Sequence, residues 1–218
     1  MTYDEIIRDE SIRVYIEAAD RSMFELGYTE HSFAHVTRVS NDAAKILVSL
    51  GYCAKDVELA KIAGYLHDIG NLVNRVDHSQ SGAVMVFRIL DGMHMPPEDI
   101  AKIVTAIGNH DEGTGTAVSP IAAALILADK SDVRRSRVRN GDVSTFDIHD
   151  RVNYSVERST LSVNTETKEI ELHLTVDTKI GSVMDYFEIF LGRMIMCRKA
   201  AERLGCRFRL HINGQTLI

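Results

Sequence analysis

The chain has 218 residues, of which 45% are hydrophobic and 26% charged, and its formal net charge is −6 at pH 7. This length and composition are enough for one ordinary domain, or for a main domain with a small appendage. The acidic balance argues against a general nucleic-acid-binding protein, which is usually basic. It does not exclude a phosphorylated substrate, because local positive charge or a metal can override the net charge.

The cysteines and the apolar pattern indicate the cellular compartment. Cys53, Cys197 and Cys206 show no C-x-x-C spacing, which is typical of reduced thiols in a cytosolic protein. The N-terminus has no basic region followed by an apolar core, and no apolar run approaches the ~20 residues that cross a bilayer. We therefore expect a soluble cytoplasmic protein without a signal peptide or a membrane segment.

Apolar residues at intervals of three and four predict successive helices up to about residue 135. Gly27 and Gly51 are predicted to end the first two helices, Asp56 to cap the third, and Pro97 to open the fifth. The six predicted helices cover residues 12–26, 33–50, 56–70, 79–90, 97–107 and 120–129.

The pattern changes after the turn at residues 140–141. Alternation predicts two strands, at residues 154–163 and 170–176, joined by a turn at 165–168. A helix at residues 183–205 and a last strand at 208–212 are predicted to follow. The first strand alternates imperfectly, which leaves room for a bulge. We predict a mainly α protein, with a helical domain over residues 1–140 and a small C-terminal α+β (β-β-α-β) unit over 150–218.

An adjacent histidine and aspartate, His67 and Asp68, end the apolar stretch 63–70. Further histidines and an aspartate lie within or beside helix-patterned segments on both sides of this pair. Neutral imidazoles together with carboxylates suit a first-row transition metal far better than calcium or magnesium. The sequence therefore predicts that the fold gathers these side chains into a buried metal site in a helical bundle.

Five short segments resemble motifs of the HD superfamily of metal-dependent phosphohydrolases, and they occur in that family's order between about residues 20 and 140. The segments are His35-Val-Thr-Arg38-Val39, Leu66-His67-Asp68-Ile69-Gly70, His78-x-x-x-Gly82-Ala83, Ile107-Gly-Asn-His110-Asp-Glu and Leu127-Ala128-Asp129-Lys130. The resemblance implies an HD-type helical bundle for this part of the chain.

The resemblance also implies a set of metal ligands. It assigns one ion to four side chains and a second ion to two more, with Asp68 bridging both. These are His35, His67, Asp68 and Asp129 for the first ion, and His78 and His110 for the second. Mononuclear members of the family lack the second pair, so one ion or two remain open. Iron, manganese, cobalt and zinc all accept such ligands.

Basic residues near Asp129 are candidates for binding a substrate phosphate. Lys130 is adjacent, and Arg134 and Arg135 follow within a turn or two, where an arginine could pair with phosphate through two hydrogen bonds. The alternative for each is a solvated surface position. With Asp68, these three residues form the predicted catalytic set.

Several other polar residues could act either near the metal site or as surface residues. Asp111 and Glu112 directly follow a predicted ligand, and either orient an imidazole or a metal-bound water or belong to a polar loop. His31 is expected beside the metal ligands or at the surface. His173 and His211 lie on the polar faces of their predicted strands, where we expect them to be solvated.

Departures from the family narrow the expected function. Asn71 stands where the cyclic-dinucleotide phosphodiesterases often have a lysine, and the chain lacks both their histidine pair and their Gly-Tyr-Pro signature. The segments at His78 and His110 are more similar to small HD phosphohydrolases, including bacterial diadenosine tetraphosphate hydrolases.

We predict metal-dependent hydrolysis of a phosphate ester or anhydride, nucleotide-like in character, by a metal-bound hydroxide. The alternative is a metal-loaded regulatory or ligand-binding module without turnover, favoured by Asn71 and by the additional C-terminal unit. The expected partner is a small phosphorylated molecule, with no membrane and no general nucleic acid. The sequence does not decide whether the protein forms a homo-oligomer. The C-terminal unit could cap the site, contact another subunit or complete the core.

Overall fold

The computed structural model describes all 218 residues and contains nine α-helices and one four-stranded sheet, which confirms the predicted mainly α class. The helices are α1 (Tyr3–Arg8), α2 (Glu10–Glu25), α3 (Phe33–Ser49), α4 (Ala54–Leu66), α5 (His78–Gly92), α6 (Pro97–Gly108), α7 (Pro120–Lys130), α8 (Ile148–Ser155) and α9 (Val183–Arg203). The strands are β1 (Val156–Asn164), β2 (Glu169–Val176), β3 (Arg207–Ile212) and β4 (Gln215–Thr216).

Helices α2 to α7 correspond to the six predicted helices, but α4 differs at both ends. Cys53 occupies its cap position, and Asp56 lies in the first turn, where its carboxylate accepts a hydrogen bond from Lys102 of α6 at 2.9 Å. The helix ends at Leu66, and Gly70 belongs to a separate 3₁₀ turn, Ile69–Leu72. The predictions of an Asp56 cap and of an end near Gly70 were therefore wrong.

Two glycines allow the close packing that positions the histidine and aspartate motifs of this chain. A Cβ atom at Gly64 would lie 2.7 Å from the Cα of Ser40, so α3 and α4 approach closely only because residue 64 has no side chain. A Cβ atom at Gly70 would lie 1.9 Å from the carbonyl oxygen of His78. The 3₁₀ turn therefore rests directly on the start of α5.

Helix α7 lies at the centre of the bundle. Every residue from Ile121 to Ala128 is buried, as expected for a helix that is apolar on all sides. Helices α3, α4, α6 and α9 pack around it. Asp129, in its last turn, is consequently held by a rigid element at the point where several helices end.

The sheet has the order β1-β2-β3-β4 and packs one face on the core. Strands β1 and β2 are antiparallel, and their register shifts between Val156 and Arg158, in the strand for which a bulge was considered. Strands β2 and β3 are parallel and are joined by α9. One cluster of 52 buried apolar residues extends from Tyr3 to Ile212. The division at residues 140–150 stays a prediction. No helix is both long enough and apolar enough for a membrane crossing.

Candidate metal centre

Four predicted ligands from three parts of the chain meet at the ends of α3, α4 and α7. The Nε2 atom of His35 lies 3.5 Å from Asp68 Oδ2 and 3.4 Å from Asp129 Oδ1. The Nε2 atom of His67 lies 3.1 Å and 3.6 Å from the same two oxygens. Both histidines are fully buried. The two imidazoles and two carboxylates therefore face one common point.

The remaining two predicted ligands lie on the other side of Asp68. His78 is the first residue of α5 and His110 follows α6, and their Nε2 atoms lie 3.6 Å and 3.9 Å from Asp68 Oδ1. These two Nε2 atoms are 3.2 Å apart. One oxygen of Asp68 thus faces each pair of imidazoles, which is the arrangement that a bridging carboxylate requires.

The hydrogen bonds of the imidazoles test whether the cluster suits a metal. His35 Nδ1 contacts the carboxylate of Asp132 at 2.8 Å, and His67 Nδ1 contacts the carbonyl oxygen of Gly64 at 2.9 Å. These acceptors place the proton of the neutral imidazole on Nδ1, so Nε2 is the atom whose lone pair a metal would use. The Nε2 atoms of His35 and His67 are buried and have no hydrogen-bond partner. Imidazole nitrogens of this kind are suitable ligands for a first-row transition metal ion.

Asp132 is a member of this site that the sequence did not reveal. Its side chain is fully buried, and besides His35 it accepts hydrogen bonds from Arg134 Nε at 2.8 Å and lies 3.2 Å from Arg38 Nε. The carboxylate therefore orients a predicted ligand while it balances nearby guanidinium groups. Its position one turn beyond Asp129, followed by arginines, was the available signal.

Asn71 also contacts the centre. Its side-chain amide donates to the backbone carbonyl of Asp68 at 3.0 Å and to Asp68 Oδ1 at 3.1 Å. The asparagine therefore fixes the central carboxylate at the place where the cyclic-dinucleotide enzymes often have a lysine. His31 lies at the margin, with Nε2 4.0 Å from Asp68 Oδ2 and Nδ1 2.6 Å from the carbonyl oxygen of Thr29.

The packed charges shift the ionisation of the whole cluster. Burial opposes the charged form of His67, but Asp68 and Asp129 outweigh it and raise the pKa of His67 to about 10. Burial, together with His67 and Lys130, lowers the pKa of His110 to about 3. Burial also opposes ionisation of Asp68, yet the surrounding imidazoles hold its pKa well below the ordinary value. The metal-free centre therefore keeps a proton on His67.

We expect metal uptake to displace that proton and to strengthen as the pH rises. A metal-ligating imidazole is neutral, whereas His67 in the metal-free protein remains charged up to about pH 10. Each unit of pH between ~7 and ~9 should raise the apparent affinity ~10-fold per proton displaced. Calorimetric titration in buffers of different ionisation enthalpy counts these protons. An affinity that is independent of pH in this range would contradict the expectation.

A cavity of about 460 Å³ opens over Asp68 and Asp129. Its polar wall contains four cationic side chains, which are Arg75, Lys130, Arg137 and Arg193. Helices α8 and α9 supply part of that wall, including Asn153 and Phe190. The C-terminal unit therefore borders the cavity as well as contributing to the core.

The structure places the three predicted phosphate-binding residues differently. Lys130 lines the cavity, with Nζ 2.7 Å from Asp129 Oδ2 and 3.5 Å from Glu112 Oε1. Arg134 and Arg135 line a separate groove instead. A 3₁₀ turn at Arg135–Arg137 directs their side chains away, toward Asp132 and toward the Tyr154 carbonyl respectively. A role for Arg134 or Arg135 at the substrate is therefore not retained.

Arg75 and Arg193 are cavity residues that sequence reasoning missed. The Arg75 Nη1 atom lies 3.2 Å from His78 Nε2, and its guanidinium group is 5.7 Å from the ring centre of Tyr28. Arg193 pairs with Glu112 at 2.6 Å. Arg75 precedes a predicted ligand by three residues, which was a usable signal. Arg193 comes from α9, and its proximity depends entirely on how that helix packs.

Comparisons with known proteins give the family. The HD domain model matches residues 32–147. An uncharacterized protein of Methanocaldococcus jannaschii is 26% identical over 205 residues, covering 83% of this chain and 78% of that protein. A crystal structure of a predicted HD superfamily hydrolase from an uncultured Thermotogales bacterium is 25% identical, covers 62% of this chain and 75% of that chain, and has a TM-score of 0.46.

The family match spans the whole cluster described above. Residues 32–147 are more than half of the 218-residue chain and contain all six clustered side chains. The resemblance in the five motifs is thereby confirmed at the level of the family. The protein belongs to the HD domain family.

Proposed function

We propose that this protein hydrolyses a phosphate ester or anhydride of a small, nucleotide-like molecule, with a divalent transition metal held by the clustered histidines and aspartates. The observation that carries the proposal is the pair of buried, unpartnered Nε2 atoms of His35 and His67, facing two carboxylates at the floor of a cation-lined cavity. A bound metal would supply acidification of a water molecule and neutralisation of phosphoryl charge.

The protein's own side chains provide the fixed geometry for this chemistry. Asp132 and the Gly64 carbonyl set the tautomers of His35 and His67, and Asn71 holds Asp68. Burial of these groups means that they need no rearrangement from a hydrated state when the substrate binds. The cluster therefore supports catalysis by positioning, without a serine or cysteine nucleophile.

Arg75 is the cavity cation best suited to bind the substrate phosphate. Lys130 is already balanced by Asp129 and Glu112, and Arg193 is balanced by Glu112. Arg75 contacts His78 and the Tyr28 ring but forms no ion pair with a carboxylate. Its guanidinium group can therefore donate two hydrogen bonds to a phosphate without first breaking an ion pair. Lys130 adds positive charge at the floor beside Asp129.

The size and polarity of the cavity favour a nucleotide-like leaving group. Its volume of about 460 Å³ lies within the range of ordinary small-molecule sites. Asp150 and Asn153 of α8 lie on the wall that the C-terminal unit contributes, and they can accept hydrogen bonds from hydroxyl groups of a sugar. This wall would select the leaving group, while the cluster acts on the phosphate.

Substitution of Arg75 by glutamine should raise KM for a phosphate monoester by ~10- to 100-fold, since a hydrogen bond to a charged group contributes about 1.5–3 kcal/mol. Metal content should stay unchanged. Steady-state kinetics with an aryl phosphate measure the effect. Arg88→Gln is the matched control, because Arg88 is on α5 and its side chain is 83% exposed. Equal kinetics for both variants would exclude Arg75 from substrate binding.

Purified protein assayed with an aryl phosphate and with nucleotides tests the proposed activity. Release of phosphate that depends on Mn²⁺, Co²⁺, Fe²⁺ or Zn²⁺ is the expected result. Tight nucleotide binding without product, across all four metals, would overturn the proposal. That result would support the alternative of a ligand-binding module.

We expect two ions at this centre, one of which depends on His78. His78→Ala should remove one ion and retain the other, because His35, His67 and Asp129 are on the opposite side of Asp68. Metal analysis of the desalted protein measures the number. His31→Ala is the control, since His31 Nε2 is 4.0 Å from Asp68 and outside the ligand set. An ion count that is the same in the native protein and in His78→Ala would indicate a mononuclear centre.

A further inference from the structure

The outer face of the sheet places two imidazoles side by side, far from the helical cluster in chain order. His173 of β2 and His211 of β3 are register partners in the parallel pair, so their side chains project from the same face. Their rings stack with centroids 4.3 Å apart and planes inclined by 5°. Backbone hydrogen bonds hold these opposite positions, so the two imidazoles stay adjacent, and rotation of their side chains can turn a nitrogen of each ring toward one ion.

A carboxylate completes this group and is not used elsewhere. Glu171, two residues before His173 on the same face, has Oε2 2.8 Å from His173 Nε2. The neighbouring arginines, Arg207 and Arg209, both pair with Glu169. Glu171 therefore forms no ion pair with an arginine or lysine, and its charge remains available to a cation.

His211 carries an unpartnered ring nitrogen. Its Nδ1 atom is 3.0 Å from the hydroxyl of Thr216, and its Nε2 atom is buried without a hydrogen-bond partner. With the proton on Nδ1 donating to Thr216, Nε2 carries a lone pair. Leaving a buried polar atom unpaired costs about 1–3 kcal/mol, so a ligand for this atom would be stabilising.

We propose that His173, His211 and Glu171 form a second metal site, separate from the HD centre, for a divalent transition ion such as zinc, nickel or copper. One ligand atom from each residue can be chosen so that all lie within 4.8 Å of one another. Tetrahedral ligand atoms about 2.0–2.2 Å from zinc are ~3.4 Å apart, so Glu171 and His173, now 2.8 Å apart, need to separate by only about half an ångström to admit the ion. Two imidazoles with one carboxylate favour such an ion over calcium or magnesium.

The proposed ion would connect β2 to β3 directly. These parallel strands are otherwise joined in sequence only through α9. An ion that binds the folded sheet and not the unfolded chain stabilises the fold by mass action. The site shares no residue with the helical cluster, so its occupancy should not change phosphatase activity.

Metal counting on the whole protein tests the proposal. Protein saturated with zinc and desalted should lose one ion per chain in His173→Gln and in His211→Gln, with unchanged turnover of an aryl phosphate. Zinc affinity at this site should fall at least ~10-fold in each variant, as for other losses around a metal. The control is His94→Asn, which removes an exposed imidazole at a positive φ of 60° that asparagine tolerates.

Nitrogen NMR of the histidine side chains locates the ion. Zinc should shift the Nε2 resonances of His173 and His211 together, and should leave that of His94 unchanged. Equal zinc content in the native protein and in both variants would overturn the proposal, and so would unshifted resonances at saturating zinc. Because His78→Ala reports on the HD centre alone, failure of the proposed HD centre and failure of the proposed sheet site give different results.

Discussion

Asp68→Asn is expected to remove bound metal and to lower phosphatase activity by more than ~100-fold, which exceeds the 10- to 100-fold typical of residues that only support a ligand. Each oxygen of Asp68 faces a different pair of imidazoles, at 3.1–3.5 Å for His67 and His35 and 3.6–3.9 Å for His78 and His110. Asparagine keeps the shape but loses the charge and one acceptor. Both proposed ion positions therefore lose their shared ligand.

The control for this substitution is Asp111→Asn at the edge of the cavity. Asp111 Oδ1 lies 4.0 Å from His78 Nε2, and its side chain is 30% exposed. It should retain metal and most activity. Metal content, turnover and a thermal melt are measured for both variants. A folded Asp68→Asn protein with native metal content and turnover would refute the proposed centre.

Asp132→Ala is expected to have the largest effect on stability, a loss of about 3–5 kcal/mol in the free energy of unfolding. The fully buried carboxylate balances Arg38 and Arg134 and lies 3.9 Å from the buried Arg137. Its removal leaves the buried guanidinium group of Arg137 without its carboxylate partner, and leaves Arg38 and Arg134 with only Asp42 and Glu30. Urea unfolding of the metal-free protein measures this loss.

Asp132→Asn separates stability from positioning. In the native protein, His35 Nδ1 lies 2.8 Å from the Asp132 carboxylate. The amide oxygen of asparagine can still accept this hydrogen bond, but it polarises the imidazole less than a carboxylate does. Metal affinity should fall ~10- to 100-fold in Asp132→Ala and less in Asp132→Asn. If both variants bound metal like the native protein, Asp132 would be a purely structural residue.

The helical part of the fold was predictable because its signal is local. Apolar periodicity places α3, α6 and α7, and proline and glycine place most of their ends. Helix α1 was missed because six residues give too little periodicity, although Thr2 and Glu5 form its capping box. Helix α8 was missed because it leads directly into β1. Such short elements depend on tertiary packing more than on pattern.

The ligand set could be proposed from sequence because the motifs themselves name the side chains. The surrounding residues could not, since their roles depend on directions that only the fold sets. The 3₁₀ turn after residue 130 sends Arg134 and Arg135 to another surface, and the loop before α5 brings Arg75 to the cavity. Chain proximity to Asp129 was therefore a poor guide to proximity in space.

The sheet shows the same limit. Alternation predicts that His173 and His211 face away from the core, but it does not pair β2 with β3 in parallel register. The expectation of solvation is confirmed for His173, which is exposed, but it overlooked the stacking of the two rings and the buried Nε2 atom of His211. The exposed face of a strand can be read from sequence, whereas its neighbour across the sheet cannot.

The most direct test of the proposed metal centre is anomalous diffraction at the absorption edge of the metal in crystals of active protein. We predict a peak about 2.0–2.3 Å from the Nε2 atoms of His35 and His67 and from oxygens of Asp68 and Asp129, the range of ordinary transition-metal bonds to nitrogen and oxygen. Crystals that retain metal-dependent activity, yet show no peak among these four side chains, would contradict it.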